Sequence, residues 1–477
     1  MWRQVNMAKT ISIDPVTRIE GHARILLECD DSGGVEEAFF IVNELRGFER
    51  ILVGMEAHTM PQITARICGV CPTAHHLASA KALDNAAGVE PPPAGKLMRE
   101  LMYMGHYIHS HALSLYILAG PDLVFGLNGE TATQNVVGMV EKDPDLTRKG
   151  LRMRSLGQKI NEVVGGRGIH PVTAIAGGIA SKLSDAQYSR LQELTSEAVG
   201  LAAELVPVTK ELLLRLLDDN PVLLDKLNVP SWYLGTAKDG KLNVYEGTLR
   251  AMDEQGEIRA EFATEAYADY LVERAVSRSY AKEVYLDVDN SEHMYRVSTL
   301  ARMNVVDGME TERAQKEFEE FRSRFGRPCH NAVLQMYCKL VELVYACEKA
   351  DEIMNNPELR GESRVAAQFS GGRGVGHVEA PRGVLVHDYQ IDDGGIVRGA
   401  NMIIATQQNT AAINKSLKEG AINLLDGGDD EKMLNGLEFV VRCYDPCLAC
   451  STHALGRMEF EVEVTRGGET IRRIRRN

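Results

Sequence analysis

The sequence predicts an α+β protein that is mostly helical, with a large multi-helix core and small β-sheets at its periphery. Three observations predict this. Long runs with helical periodicity cover residues 95–118, 185–217 and 331–354. Shorter strand-like runs cover 10–28, 34–44, 240–262 and 371–396. A chain of 477 residues, 44% hydrophobic and 25% charged, can bury a sizeable core without disulfide staples.

Residues 10–28 and 34–44 read as two strands around the turn Asp30-Asp31-Ser32-Gly33-Gly34. A loop then delivers Arg66-Ile67-Cys68-Gly69-Val70-Cys71, followed at once by Pro72 and a helix-forming run over 74–87. Proline suits the first helical position, so Cys71 is expected at the helix entrance. Pro91-Pro92-Pro93 breaks the chain before the 95–118 helix. Residues 165–178 are Gly-rich and irregular. Further helices are expected over 310–324, 400–417 and 430–442. Gly371-Gly372-Arg373-Gly374-Val375-Gly376 superficially suggests a phosphate loop, but it lacks a following helix and reads as a tight backbone approach. Repeats, low-complexity tracts and interdomain linkers are absent from the sequence.

A formal charge of −14 argues against nucleic-acid binding, which depends on Lys and Arg neutralising phosphate. No stretch has the length and apolarity of a transmembrane segment, and Met1 to Thr10 lacks the apolar core of a secretory signal, so a cytoplasmic protein is expected. Nine cysteines, an odd number, do not suit a complete disulfide framework. Cys29, Cys329, Cys338, Cys347 and Cys443 are scattered and read as small buried hydrophobes.

The other four form two pairs, Cys68-Gly69-Val70-Cys71 and Cys447-Leu448-Ala449-Cys450, the second followed by His453. Cys71 and Cys447 are 376 residues apart, too far for a compact zinc ribbon. Four soft thiolates suit zinc, an iron–sulfur cluster or nickel. Spacing alone leaves open a structural zinc site that staples the chain ends and a redox metal site.

The flanking residues carry a resemblance. Residues 66–75, from Arg66 through Cys68 and Cys71 to His75, and 445–453, from Asp445 to His453, closely resemble the two signature motifs of nickel–iron (NiFe) hydrogenase large subunits. Asp14-Pro15-Val16-Thr17-Arg18-Ile19-Glu20-Gly21-His22, Arg46-Gly47-Phe48-Glu49 and Glu379-Ala380-Pro381-Arg382-Gly383 resemble three more motifs of that family, in the family's order. Residues 165–173 are most similar to the cytoplasmic bidirectional branch, which couples hydrogen to NAD(P), a deazaflavin, ferredoxin or a heterodisulfide.

The resemblance implies the NiFe hydrogenase large-subunit fold and the reaction H2 ⇌ 2 H⁺ + 2 e⁻. It implies that Cys68 and Cys447 bind nickel terminally, and that Cys71 and Cys450 bridge nickel to an iron carrying carbon monoxide and cyanide. Cys447 is then the favoured proton acceptor, because a guanidinium normally stays protonated. Arg382, with Pro381 beside it and Asp445 as its partner, orients or polarises H2. Glu20 relays protons, His75 hydrogen-bonds a bridging thiolate, and Thr406 bonds a cyanide. Glu49, the Met402 backbone carbonyl and His453 bind a separate Mg2+ or Fe2+. His76 and the cluster His106, His109 and His111 read as packed or hydrogen-bonded. Ser110 stands where many relatives have a carboxylate.

The chain has too few spare cysteines for an electron relay. The resemblance therefore implies a small subunit carrying Fe–S clusters, further diaphorase or ferredoxin-type subunits, a nickel chaperone and a maturation protease. Residues 1–453 are expected to form one catalytic domain, with a β part (1–60), a helical core (61–360) and an active-site part (361–453). Residues 454–477 read as a hairpin with a basic end and as a removable maturation peptide. Three rivals are a structural zinc protein, a hydrogen-sensing regulatory homologue and the quinone-site subunit of respiratory complex I, a cousin that has lost the metal thiolates.

Overall fold

The computed structural model describes residues 10–31, 34–45, 47–127, 129–130, 132–425, 430–451, 460–466 and 469–476. Arg46 and His453 lie outside the described residues. Long helices dominate: Pro72–Ala87, Pro93–Leu113, Pro144–Gly165, Asp185–Asp219, Gln335–Met354, Ala405–Leu425 and Asp430–Tyr444. Three of these begin at Pro72, Pro93 and Pro144, each supplying the preset φ that a first helical turn needs. No described helix is long and apolar enough to cross a membrane.

The expected strand over 10–28 is two strands, Thr10–Ile13 and Ala23–Cys29, which pair antiparallel. Between them the backbone turns through positive φ at Arg18 (56°) and Gly21 (84°), which ends the first strand and carries Glu20 inward. Val35–Val42 completes that sheet, which packs with the 405–425 and 430–444 helices around Ile25, Leu27, Phe40, Leu417 and Val441. The N-terminal sheet is thereby joined to the end of the chain. The expected helix over 400–417 begins only at Ala405, because Val397–Ile403 pairs as a strand with Gly383–Ile391. The 144–165 helix and the strands between Leu271 and Arg296 go beyond the elements expected from the sequence.

The Gly-rich run is strand, not phosphate loop. Gly372–Ala380 pairs with Gly383–Ile391 and lies on the 72–87 helix. A Cβ on Gly374 would stand 2.1 Å from the Ala82 carbonyl oxygen, and one on Gly376 2.3 Å from the Ala82 nitrogen. Only glycine allows that approach. Ala380 pairs with Gly383, so Pro381 and Arg382 form the tip of a two-residue hairpin. Near the end of the chain, Phe460–Arg466 and Glu469–Arg476 pair as the expected hairpin.

Candidate metal centre

The two cysteine pairs meet. Cys68 Sγ is 3.1 Å from Cys447 Sγ, Cys71 Sγ is 2.9 Å from Cys450 Sγ, and Cys447 and Cys450 are 3.0 Å apart. All four are buried, none is in a disulfide, and their sulfurs lie within 4.8 Å of one another. The other five cysteines are buried apart from this group, as the sequence suggests.

The first pair is shaped locally. A 3₁₀ turn, Ala65–Ile67, leads into extended backbone at Cys68, and Cys71 is the N-cap of the 72–87 helix. The Val70 and Cys71 amides donate to Cys68 Sγ at 3.2 and 3.5 Å. Hydrogen bonds from Cys447, Cys450 and Cys71 hold the Cys68 thiol well below its ordinary value. Burial pushes the Cys447 and Cys450 thiols up. Burial and mutual repulsion thus oppose ionising these sulfurs together. Full ionisation of four sulfurs this close needs a cation among them, so the donor set fits a soft metal centre.

The second pair is held from a distance. Glu20 bridges to Cys447 through the backbone, with the Leu448 amide donating to the Glu20 carbonyl at 3.2 Å. Glu20 Oε2 accepts from the Cys447 thiol at 3.2 Å and from the Ala449 amide at 3.0 Å. Burial, and then the charge on Cys68, raise the Glu20 carboxyl. Thr406 Oγ1 accepts the Cys447 amide at 2.9 Å, leaving its own proton available. His75 Nε2 lies 3.4 Å from Cys450 Sγ, and its Nδ1 lies 3.0 Å from His387 Nε2. Burial lowers His75 to about 4, so it is a neutral imidazole at neutral pH. His387 Nδ1 is in turn 2.6 Å from the Tyr389 hydroxyl.

Arg382 hangs over the sulfurs from its hairpin tip. Its Nε and Nη2 donate to the Asp445 carbonyl (2.6 Å) and Asp445 Oδ1 (3.0 Å), and its Nη1 donates to Ser110 Oγ (3.3 Å). Burial alone would weaken its proton affinity, but Asp445 and the Cys447, Cys71 and Cys68 sulfurs outweigh it and raise it further. Arg382 therefore stays a cation. Arg382, Ala380, Leu385, Ile404, Ala405 and Thr406 line a small cavity together with Cys71, Cys447 and Cys450.

Glu49 stands elsewhere. Its Oε1 accepts the Met402 amide at 2.9 Å, and burial pushes its carboxyl up to about 7. His453 cannot be placed beside it, since it lies outside the described residues. His76 is fully used in structure: Nδ1 lies 2.8 Å from the Pro61 carbonyl, and Nε2 accepts the Ala174 amide at 2.9 Å. His106 stacks on Tyr103, and His111 Nε2 lies 2.9 Å from Glu342. Sequence reasoning does not find His387, Lys339, Arg302 or Glu342. Lys339 is 2% exposed, donates to Ser114 Oγ at 2.8 Å, and lies 3.7 Å from Asp445 Oδ2. Charged residues inside the apolar 335–354 run are the signal that points to Lys339 and Glu342, since such residues are buried only when paired; Arg302 and His387 lie outside that run.

Four thiols brought from both ends of a chain under a buried arginine form a candidate metal centre, and comparison with known proteins gives its class. The nickel-dependent hydrogenase family matches residues 46–138 and 291–453, and a HoxL-like family matches 10–45. The chain belongs to the nickel-dependent hydrogenases, as their large chain, and so is an oxidoreductase acting on H2. It is 38% identical to one of the subunits of the F420-non-reducing hydrogenase vhc of Methanococcus voltae, over 97% of this chain and 99% of that one. It is 34% identical to the NAD-reducing hydrogenase HoxS subunit beta of Cupriavidus necator, over 96% and 97% respectively. The crystal structure of an NAD+-reducing nickel–iron hydrogenase in the H2-reduced state superposes with a TM-score of 0.88 at 34% identity, covering 94% of this chain and all of that one. These relatives are subunits of multi-subunit hydrogenases, and nothing in the comparisons supports the zinc, sensor or complex I readings.

Proposed function

We propose that Cys68, Cys71, Cys447 and Cys450 hold a nickel–iron pair at which H2 is split reversibly and heterolytically. Cys68 and Cys447 would be the terminal nickel ligands, and Cys71 and Cys450 would be shared by nickel and iron. The observation that carries this is the convergence of the four sulfurs beneath Arg382. When bound, the metal pair supplies the Lewis acid and the two-electron acceptor.

The protein groups manage the proton and the geometry. The Cys447 sulfur accepts the proton, and Glu20 Oε2, 3.2 Å away, takes it onward. Arg382 cannot serve as base, since its surroundings hold it protonated; instead it presents fixed charge to H2. His75, neutral and tied to His387, donates from Nε2 to the Cys450 sulfur. Thr406, whose Oγ1 accepts the Cys447 amide and so keeps its own proton, would offer that O–H to a cyanide on iron.

A hard cation, Mg2+ or Fe2+, binds Glu49, the Met402 carbonyl and His453. Electrons leave through a small subunit carrying Fe–S clusters and on to diaphorase or ferredoxin-type subunits in the cytoplasm. A nickel chaperone loads the site and a protease removes residues 454–477.

The purified complex tests this reading. One nickel per chain, infrared bands from bound carbon monoxide and cyanide, and H2-dependent dye reduction are expected. Zinc in place of nickel would sink it. Arg382→Lys should retain both metals and lose turnover, by about 100-fold as for an electrostatic donor.

A further inference from the structure

We infer that Arg302 is a positioning residue for Arg382, gripping the hairpin tip that carries Arg382 over the sulfur cavity. The inference rests on the role proposed above for Arg382.

Arg302 lies in the short helix Thr299–Val305 and is fully buried. A guanidinium has five N–H groups in a rigid plane, and here each has an acceptor. Nε and Nη2 donate to the two oxygens of Glu342, both at 2.7 Å. Nη1 donates to Glu379 Oε2 at 2.9 Å and to the Ala380 carbonyl at 3.1 Å. The second Nη2 proton goes to the Pro381 carbonyl at 2.9 Å. Three of these acceptors belong to residues 379, 380 and 381, the three immediately before Arg382.

The same segment is fastened on its other sides. The Glu379 carbonyl accepts the hydroxyls of Tyr103 (2.5 Å) and Tyr107 (2.6 Å), and Glu379 Oε1 accepts the Thr236 amide at 2.7 Å. Glu342, which anchors the far side of Arg302, also meets His111. Pro381 has no N–H and cannot tie the tip through its own donor. The tyrosine contacts hold Glu379, and Asn409 Nδ2 reaches the Arg382 carbonyl at 3.4 Å; between them, among the described residues, Arg302 is the one side chain that bonds the Ala380 and Pro381 carbonyls. It bonds none of the four cysteines, so any effect on turnover must pass through the hairpin. Lysine, a point donor with three protons, cannot satisfy acceptors spread around a planar fork.

The test uses the intact purified complex carrying Arg302→Lys, Arg382→Lys or both. Turnover per nickel, KM for H2, nickel and iron content and thermal unfolding are measured. Arg302→Lys is expected to lower turnover about 10- to 100-fold, the range for displaced catalytic geometry, with both metals present. Combined with Arg382→Lys, it should add no further loss in turnover per nickel, because the group it positions is already gone. Tyr107→Phe loosens the neighbouring Glu379 carbonyl, at the base of the same hairpin tip, without leaving a buried charge unpaired. It should give a smaller loss that likewise vanishes in the Arg382→Lys background. Multiplying losses, or normal turnover per nickel in Arg302→Lys and Tyr107→Phe beside an impaired Arg382→Lys, would overturn this inference alone. Normal turnover in Arg382→Lys would overturn the role of Arg382 and this inference with it.

Discussion

The two cysteine pairs have the same spacing and the same chemistry, yet different physics builds them. Cys68 and Cys71 are shaped within a few residues, by a 3₁₀ turn, a proline-started helix and two amides turned onto Cys68. Cys447 and Cys450 take their positions from Glu20, 427 residues before Cys447 in the chain, and from Thr406 and His75. One arm is a local anchor, and the other is assembled by the tertiary fold. Damage far from the second arm should therefore reach the metal centre, whereas damage near the first should act only where it touches the turn or the helix entrance.

The largest expected effect ignores the difference between the arms. Cys68→Ala and Cys447→Ala should each abolish nickel retention, read as metal per chain; nickel retained by either would break the equivalence of the two terminal ligands. Glu20→Gln separates chemistry from assembly. It keeps the backbone bridge to Cys447 but loses the carboxylate, so both metals should remain while H2/D⁺ exchange falls by about 100-fold or more, as for loss of a proton-transfer group. Normal exchange would remove Glu20 from the proton path.

A pair of glycines sharpens the contrast. Gly21 has φ +84°, and a Cβ there would lie 2.7 Å from Leu448 Cβ, whereas a Cβ on Gly69 would meet nothing within 4 Å. Gly21→Ala should cost about 1–3 kcal/mol from backbone strain alone, and lower nickel occupancy. Gly69→Ala, though inside the motif, should stay within about 1 kcal/mol. Equal effects in thermal unfolding would erase the distinction between the arms.

The Glu49 site predicts a pH effect independent of the sulfurs. Burial pushes its carboxyl up to about 7 from an ordinary 4.5. Between those values the unfolded chain has released a proton that the folded chain keeps, so stability declines as pH rises through this window. Denaturant titrations of the metal-free protein at about pH 5 and about pH 7.5 should show the decline, and Glu49→Gln should lessen it, the buried Glu100, also pushed up to about 7, contributing in the same direction. Mg2+ should restore stability at the higher pH by favouring the ionised carboxylate. Thr406→Val, which removes the acceptor of the buried Cys447 amide, should cost about 1–3 kcal/mol in thermal unfolding.

Legibility in the sequence follows the same division. The helix entrance at Cys71 is readable from Pro72, its neighbour in sequence, and the Gly-rich 371–396 run reads as strand-like, which its pairing bears out. The break at 14–22 is readable in part, from Pro15 just after the first strand and from Gly21, but the positive φ at Arg18 is not, since an arginine gives no sign of it. The 400–403 stretch has a helical pattern but is strand, because its conformation comes from pairing with 383–391. At the site, the motifs point to Cys68, Cys71, Cys447, Cys450, Glu20 and Arg382. The supports behind them, Arg302, Glu342, Lys339 and His387, lie outside those motifs, and only their placement in three dimensions shows what they hold.

The most direct test of the central claim is a crystal of the mature, metal-loaded complex with anomalous difference maps at the nickel and iron absorption edges. The account predicts one nickel peak and one adjacent iron peak enclosed by the sulfurs of Cys68, Cys71, Cys447 and Cys450, with Arg382 above them. A single zinc among those sulfurs, or metal peaks that leave either cysteine pair empty, would contradict it.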